Sequence, residues 1–338
     1  MNKHIPSHAE GTTYSDSSAS SQIRYCRDLG QYLVSVFGLD PHRVTLVRHW
    51  LNTTFRVTEF SANGELPEVY ALRISRPDYV TSASLLAEAT WLDHLRCATS
   101  ITVPEPMESA SMGPVASRPG PVGWPTMGML FRWLPGRHVA RWSDDLVSSA
   151  GELLAQLHVA AMSYREIERL ERPRWSPAIV NGGAWGVPKD VLGSLTAAKR
   201  DIASKASDTI EDISRHCQGN ESQWGLIHGD FGPRNLLRKG SNWRVLDFDN
   251  GCFAPYAYDV AVALASPAIS ARSAAFLRGY STFRRLSSQE VDWLPSLTLI
   301  RQLVVAVWFE AHARDALFVG RIDGQLDAMW SVIRSGGK

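Results

Sequence analysis

The chain has 338 residues, with 35 lysines and arginines set against 34 aspartates and glutamates, a formal charge of +1. That length buries a substantial core in one large or two smaller domains, and so even a charge balance lacks the clustered basic excess of a general nucleic-acid-binding surface. Four dispersed cysteines, Cys26, Cys97, Cys217 and Cys252, have no metal-ligand spacing and predict a reduced, cytoplasmic protein.

Residues 1–21 are rich in Ser, Thr and His with no apolar h-region, which excludes a secretory signal and reads as a flexible tail. From Gln22 to Phe37 the apolar positions Ile23, Leu29, Leu33 and Phe37 predict a helix, closed by Gly38 and Pro41. Two strand-like runs follow, Val44 to Val47 and Phe55 to Phe60. Between them lies His49-Trp50-Leu51-Asn52-Thr53-Thr54, by pattern an ordinary hairpin turn. Val69 to Ser75 is a third strand with Arg73 inside it. Past Pro77, the segment Ser82 to Cys97 sets Leu85, Leu92 and Leu95 on one helical stripe, and Glu88 falls within that stripe. A carboxylate on the inward face of a helix needs a cation, because burying it unpaired costs several kcal/mol. Residues 102–125 are dense in Pro and Gly and predict a short strand and an irregular turn. Met127 to Gly136 then reads as a strand running into a break, with Phe131 and Trp133 near its end.

The remainder is mainly helical. Ser143 or Asp144 caps a helix carrying Leu146, Leu153, Leu154 and Leu157 up to His158, which reads as a structural histidine. Trp175 to Pro188 is irregular, and Val191 to Cys217 is a charged helical region. Pro255 to Leu264 begins a helix with Asp259 near its start; further helices run near Ala271 to Tyr280, Ser287 to Ala313 and Ile322 to Ile333. The longest apolar run, Leu303 to Phe309, falls far short of the roughly 20 residues that span a bilayer, so no membrane partner is expected. On the late helices Glu310, Asp315, Asp323 and Asp327 alternate with Arg301, Arg314 and Arg321, the pattern of a solvated face. Trp293, Trp308, Phe309 and Trp330 read as core aromatics, although such rings also box quaternary ammonium groups.

Between these regions lies the most informative stretch, Leu226 to Arg238 followed by Trp243 to Asp249. Two short apolar runs, Leu236-Leu237 and Val245-Leu246, flank the turn-forming residues Lys239 to Asn242 and predict a β-hairpin. With the turn centred near Ser241, antiparallel pairing sets Asn235 beside Asp247 at the open end. An amide oxygen and a carboxylate suit Mg²⁺, which takes one or two protein carboxylates and completes its octahedron with substrate phosphates and water. Asp230 lies just upstream in a Gly- and Pro-containing loop.

His228-Gly229-Asp230, with Asn235 five residues after the aspartate and a strand ending in Asp247-Phe248, resembles the catalytic loop and metal aspartate of the protein-kinase-like fold. The His-Gly-Asp form is similar to the aminoglycoside phosphotransferase and choline kinase branch, which includes homoserine kinase-like enzymes. The resemblance covers nearly the whole chain after the tail. It implies an α+β, two-lobed fold, with a small nucleotide-binding lobe of antiparallel sheet plus helix over residues 22–134 and a larger helical lobe over 135–338 that carries the catalytic hairpin and the acceptor site.

The same resemblance implies an ATP- and Mg²⁺-dependent phosphotransferase acting on a hydroxyl of a small molecule such as an aminoglycoside, amino alcohol or homoserine-like metabolite. Asp230 would be the catalytic base, and Asn235 and Asp247 the metal ligands, with Asp249 extending the acidic cluster. Arg73, in place of the usual lysine, would grip phosphate while held by Glu88. Asn52, Thr53 and Thr54 would cover the nucleotide, Phe131 and Trp133 would lie in the adenine hinge, and Asp259 would brace the catalytic loop. Two other readings stand beside this one: a bacterial protein Ser/Thr kinase of the same branch, and a catalytically silent nucleotide-binding regulator. Nothing in the sequence sets the oligomeric state.

Overall fold

The structure, a computed structural model, describes residues 13–336 apart from 41–42, 61–66, 78, 165–166, 185, 218, 316 and 321. The chain forms two compact units. One comprises residues 1–81, 107–133 and 312–323, the other 82–106, 134–311 and 324–338.

In the first unit, helix α1 (Ala19–Val36) packs on a five-stranded antiparallel sheet of β1 (Arg43–His49), β2 (Thr53–Glu59), β3 (Glu68–Ile74), β4 (Ala116–Ser117) and β5 (Met127–Arg132), in the order β1-β2-β3-β5-β4. Phe55 and Val57 of β2, with Tyr70, Leu72 and Ile74 of β3, alternate inward onto Leu29, Leu33 and Val34 of α1, so one apolar core holds helix to sheet. Ser18 caps the helix by accepting from the Ser21 N–H.

The tail expected over residues 1–21 is corrected at its later end; residues 1–12 lie outside the described residues. Tyr14 is only 2% exposed and meets Trp124 edge-on at 5.5 Å, and the Gln22 amide donates to the carbonyls of Tyr14 and Ser17 at 2.7 and 3.0 Å. Burial of one large ring outweighs the local preference of a Ser-rich segment for solvent. The unit also takes in residues 312–323. Asp315, expected on a solvated face, is buried and pairs with Arg76, and Phe318 packs edge-on against Trp50 at 4.8 Å.

The second unit is mainly helical. Helix α2 (Ser82–Ala98) belongs here rather than with the sheet of the first unit, since its His94 stacks on Tyr164 at 4.1 Å just past α3 (Asp144–Ser163). Its inward stripe is the expected one: Leu85, Glu88, Leu92 and Leu95 are all buried. Two small sheets sit among the helices. One pairs β6 (Trp224–Ile227) with β9 (Cys252–Pro255), and the other is the predicted hairpin of β7 (Leu236–Lys239) and β8 (Asn242–Val245). The helix Tyr256–Leu264 is buried on nearly every side. Helix Ser288–Ala311 is, among the described residues, the one long and apolar enough to cross a membrane, but its Leu294, Leu297, Ile300, Leu303, Val304, Ala306 and Val307 are spent on this unit's core. The architecture is α+β, as the sequence predicts.

Candidate active site

Strand β6 delivers His228 into a turn that only glycine can continue. Gly229 has φ 78°, and a Cβ there would lie 2.2 Å from the Asn250 carbonyl oxygen. Asp259, at the start of the buried helix Tyr256–Leu264, fastens this turn: its carboxylate accepts the backbone N–H of His228 at 2.8 Å and of Gly229 at 3.0 Å. On its other side, His158 of α3 lies 3.2 Å from Asp259 Oδ2 and 2.8 Å from the Tyr280 hydroxyl. Burial lowers the His158 pKa against the opposing pull of Asp259, so the imidazole is neutral and donates through Nε2 while Nδ1 accepts from Tyr280. Burial alone would raise the Asp259 carboxyl, but the bonds from His158 and the proximity and N–H of His228 outweigh it and hold the group below the usual carboxylate range. His158 is the structural histidine expected, and Asp259 the expected brace.

His228 is likewise occupied. The Asp230 N–H donates to its Nδ1 at 3.2 Å, which leaves the proton on Nε2 to be given to the Leu246 carbonyl at 2.9 Å. The ring therefore joins the Asp230 turn to the far strand of the hairpin.

Asp230 is half-buried, and both its carboxylate oxygens have partners. Oδ2 accepts from the Asn235 side-chain amide at 3.0 Å, and the same nitrogen donates to the Asp230 carbonyl at 2.8 Å. Oδ1 is paired with Arg301 of helix Ser288–Ala311. Arg301 was expected on a solvated face; its side chain is instead only 17% exposed. The signal was available in the periodicity, since Arg301 stands four residues after Leu297 and three before Val304, on the buried stripe of its helix.

The hairpin corrects one expectation of register. Lys239 pairs with Asn242 across a Gly240-Ser241 turn, Leu236 pairs with Val245, and the Leu246 N–H donates to the Asn235 carbonyl at 2.8 Å. Asn235 thus lies opposite Leu246, and Asp247 is one residue further on. Asp247 has φ 66° and is the one non-glycine described residue in the left-handed region. Such a backbone costs on the order of 1–3 kcal/mol and persists where its surroundings over-determine it, commonly at functional sites. The residue types fit Mg²⁺: Asn235 turns its amide nitrogen toward Asp230, and an amide oxygen and a carboxylate, as on Asn235 and Asp247, are the hard oxygen donors that this cation takes. No cluster of three or more His, Cys, Asp or Glu suited to a metal occurs among the described residues.

Beyond Asp247 the chain is tied down by a residue that sequence reasoning missed. Arg172, with a side chain 2% exposed, donates Nε to the Gly251 carbonyl at 2.8 Å and Nη2 to the carbonyls of Phe248 at 2.9 Å and Asp249 at 2.7 Å. Its Nη1 reaches the Ser84 carbonyl at 3.0 Å and lies 4.0 Å from the Glu88 carboxylate. The buried Glu88 therefore has a cation in its own unit, from a loop whose Arg- and Glu-rich sequence carried no hint of it. Asp249 is buried and accepts from the Asn250 amide at 3.0 Å.

In the first unit, Arg73 is buried in β3, its guanidinium 5.2 Å over the Phe131 ring and 3.6 Å from the Met129 sulfur. The expected six-residue loop shrinks to Trp50, Leu51 and Asn52. Thr53 and Thr54 already pair in β2, and the Thr53 hydroxyl is committed to His49 Nδ1 at 2.9 Å and Cys26 Sγ at 3.4 Å. Phe131 pairs with Ala71 inside β5, and the Trp133 N–H donates to the Val69 carbonyl at 3.0 Å. Arg73 and Glu88 fall in different units.

Residues 43–293 match the model of the phosphotransferase enzyme family. A homoserine kinase of Brucella canis is 28% identical over 207 residues, 57% of this chain and 58% of that protein, so the chain matches little over half the length of this relative. The homoserine kinase of Xanthobacter autotrophicus is 30% identical over 244 residues, 68% of each chain. Among solved structures, the amicoumacin kinase hAmiN in complex with AMP-PNP, Ca²⁺ and Ami superposes with a TM-score of 0.74 at 18% identity, covering 94% of this chain and 95% of that one. A microcompartment-associated aminopropanol kinase gives 0.71 at 20% identity, covering 92% and 98%. The fold is thereby the protein-kinase-like one.

Proposed function

The chain belongs to the phosphotransferase enzyme family, and on that premise we propose that it is an ATP-dependent kinase that phosphorylates a hydroxyl of a small molecule. The observation that carries this reading is the Asn235 amide bonded to both the carbonyl and the carboxylate of Asp230, which fixes base and metal ligand relative to each other before any substrate arrives. In the reaction the acceptor oxygen bonds to the γ-phosphorus, the bond from that phosphorus to the β–γ bridging oxygen breaks, ADP departs, and the hydroxyl proton passes to Asp230.

Asn235 and Asp247 would hold Mg²⁺, whose chemistry is to neutralise charge on the phosphates. ATP is supported by the AMP-PNP in the amicoumacin kinase complex. For the nucleotide we propose Arg73 as a phosphate contact, Phe131 and Trp133 at the adenine, and the turn at Asn52 with Thr54 as the cover, while Glu88 has Arg172 as its cation. The Thr53 hydroxyl, engaged with His49 and Cys26, contributes through the strand and not as a donor. A reducing, cytoplasmic setting is supported by four free cysteines, three of them buried.

A polycationic aminoglycoside acceptor is disfavoured. Glu310 is paired with Lys199 and accepts from Trp330 Nε1 at 2.9 Å, and Asp315 is paired with Arg76, so two of the carboxylates late in the chain are neutralised internally. The test is incubation with γ-labelled ATP, Mg²⁺ and a panel of hydroxyl metabolites beside protein acceptors. Mg²⁺-dependent label on a small alcohol is expected; label on proteins alone, or on nothing, contradicts the reading.

A further inference from the structure

We propose that Arg284 and Tyr280, neither of them a residue of the site described above, are positioning residues for the transfer: one arginine fastens both ends of the strand that delivers the Asp230 turn, the first directly and the second through a buried relay. This deepens the phosphotransferase reading and rests on it. Strand β6 runs between two anchors. Two residues before it, the Ser222 carbonyl accepts from Arg284 Nη2 at 2.6 Å; just after it, Asp259 accepts the N–H groups of His228 and Gly229 at 2.8 and 3.0 Å.

The second anchor leads back to the same arginine. Arg284 Nη1 donates to the Tyr280 hydroxyl at 2.9 Å, that hydroxyl lies 2.8 Å from His158 Nδ1, and His158 Nε2 lies 3.2 Å from Asp259 Oδ2. A single arrangement of hydrogens satisfies this chain. A guanidinium can only donate and an ionised carboxylate can only accept, so the imidazole proton sits on Nε2 and the Tyr280 proton points at Nδ1. A protonated His158 would aim a second donor at the phenol oxygen and strand the phenol proton; burial, with the Arg284 charge adding, keeps the ring neutral against the pull of Asp259. Every bond thus points from cation to anion, and hydrogen bonds aligned in this way polarise one another in a low-dielectric interior.

All five side chains of the run, Asp259, His158, Tyr280, Arg284 and Glu290, are buried. Glu290 Oε1 balances Arg284 at 2.5 Å, and its Oε2 accepts the Ser287 N–H at 2.9 Å, so the cation has its own counter-charge at the far end of the relay. The bond between Tyr280 and His158 is held in place by the helices that carry it. Helix α3 and helix Ser273–Tyr280 meet backbone to backbone at Gly151 and Gly279, where an added Cβ would strike the carbonyl oxygens of Phe276 and Ser148. The rival role is stability alone, a network that joins helices without setting the Asp230 turn. The two roles separate because only positioning carries a lost hydroxyl through to His228 and Gly229.

The experiment is Tyr280→Phe in the full chain, which removes one hydroxyl and keeps the ring. With an accepted alcohol, kcat should fall about 10-fold, the equivalent of one hydrogen bond lost from alignment of the base, while KM for MgATP stays within about two-fold. In ¹H–¹⁵N spectra the amide resonances of His228 and Gly229 should move, because the carboxylate that accepts them loses its polarised partner. Arg284→Lys keeps the charge beside Glu290 but not the fork. It should move the same two amides and lower kcat, and it decides the question if Tyr280→Phe does not fold. Unmoved amides in a folded variant, or a kcat within about two-fold of the wild type, overturn the proposal even if the unfolding midpoint drops. If the wild type binds MgATP yet phosphorylates no alcohol, the phosphotransferase reading fails instead, and the two amides alone decide whether Arg284 and Tyr280 set the turn.

Discussion

His158 Nε2 lies 3.2 Å from Asp259 Oδ2 with both side chains sealed from solvent, and that bond ties α3 to the turn that carries Asp230. Because the imidazole is neutral, the carboxylate keeps a full negative charge for the two backbone N–H groups it also accepts. Replacing Asp259 with Ala leaves those donors buried and unsatisfied at roughly 1–3 kcal/mol each. Urea unfolding should show that loss, and kcat should fall with it because the turn at Gly229 loses its anchor. A variant with the wild-type midpoint and turnover would remove Asp259 from this role.

Arg172 holds the carbonyls of Phe248, Asp249 and Gly251 in one fork. A lysine keeps the charge but not the fork, so Arg172→Lys should cost on the order of 3 kcal/mol of stability, two or so charged hydrogen bonds. It should also weaken MgATP binding, because the segment it fixes directly follows Asp247. Unfolding midpoints and nucleotide titration measure the two effects, and an intact nucleotide affinity in Arg172→Ala would contradict the second.

In the first unit, burial, with Arg76 adding, holds the His49 pKa down to about 4, against an ordinary value of 6.5. Between those values the unfolded chain binds more protons than the folded one, so stability declines as pH falls from 6.5 toward 4. Buried His158, also shifted downward, adds in the same direction. Melting temperatures should therefore drop between pH 7 and 5, and His49→Gln should flatten part of the drop. An unaltered slope in that variant would assign the effect to other groups.

The sequence was most legible where function is local in the chain. His228, Asp230, Asn235 and Asp247 lie within twenty residues of one another, and Asp259 follows soon after, so spacing alone predicts their proximity. The register at Asn235 was misjudged by one residue because a Lys-Gly-Ser-Asn turn does not announce its centre, and the Gly240-Ser241 turn with left-handed Gly240 sets it. Arg172 was illegible because it works through backbone carbonyls nearly eighty positions away, which leave no mark on side-chain pattern. Charge alternation misled at Arg301 and Asp315: both look like surface residues in a list of charges, yet each is matched by a partner of opposite sign.

The central claim is that Asp230 is the base of a phosphotransferase whose other parts bind nucleotide independently of it. Asp230→Asn tests this most directly, since the amide keeps size and one acceptor oxygen but cannot take up the hydroxyl proton. Measured with MgATP and an accepted alcohol, the variant should retain nucleotide affinity within a few-fold while kcat falls by about 100-fold or more, the contribution of a positioned general base. Undiminished phosphoryl transfer by Asp230→Asn would contradict the account.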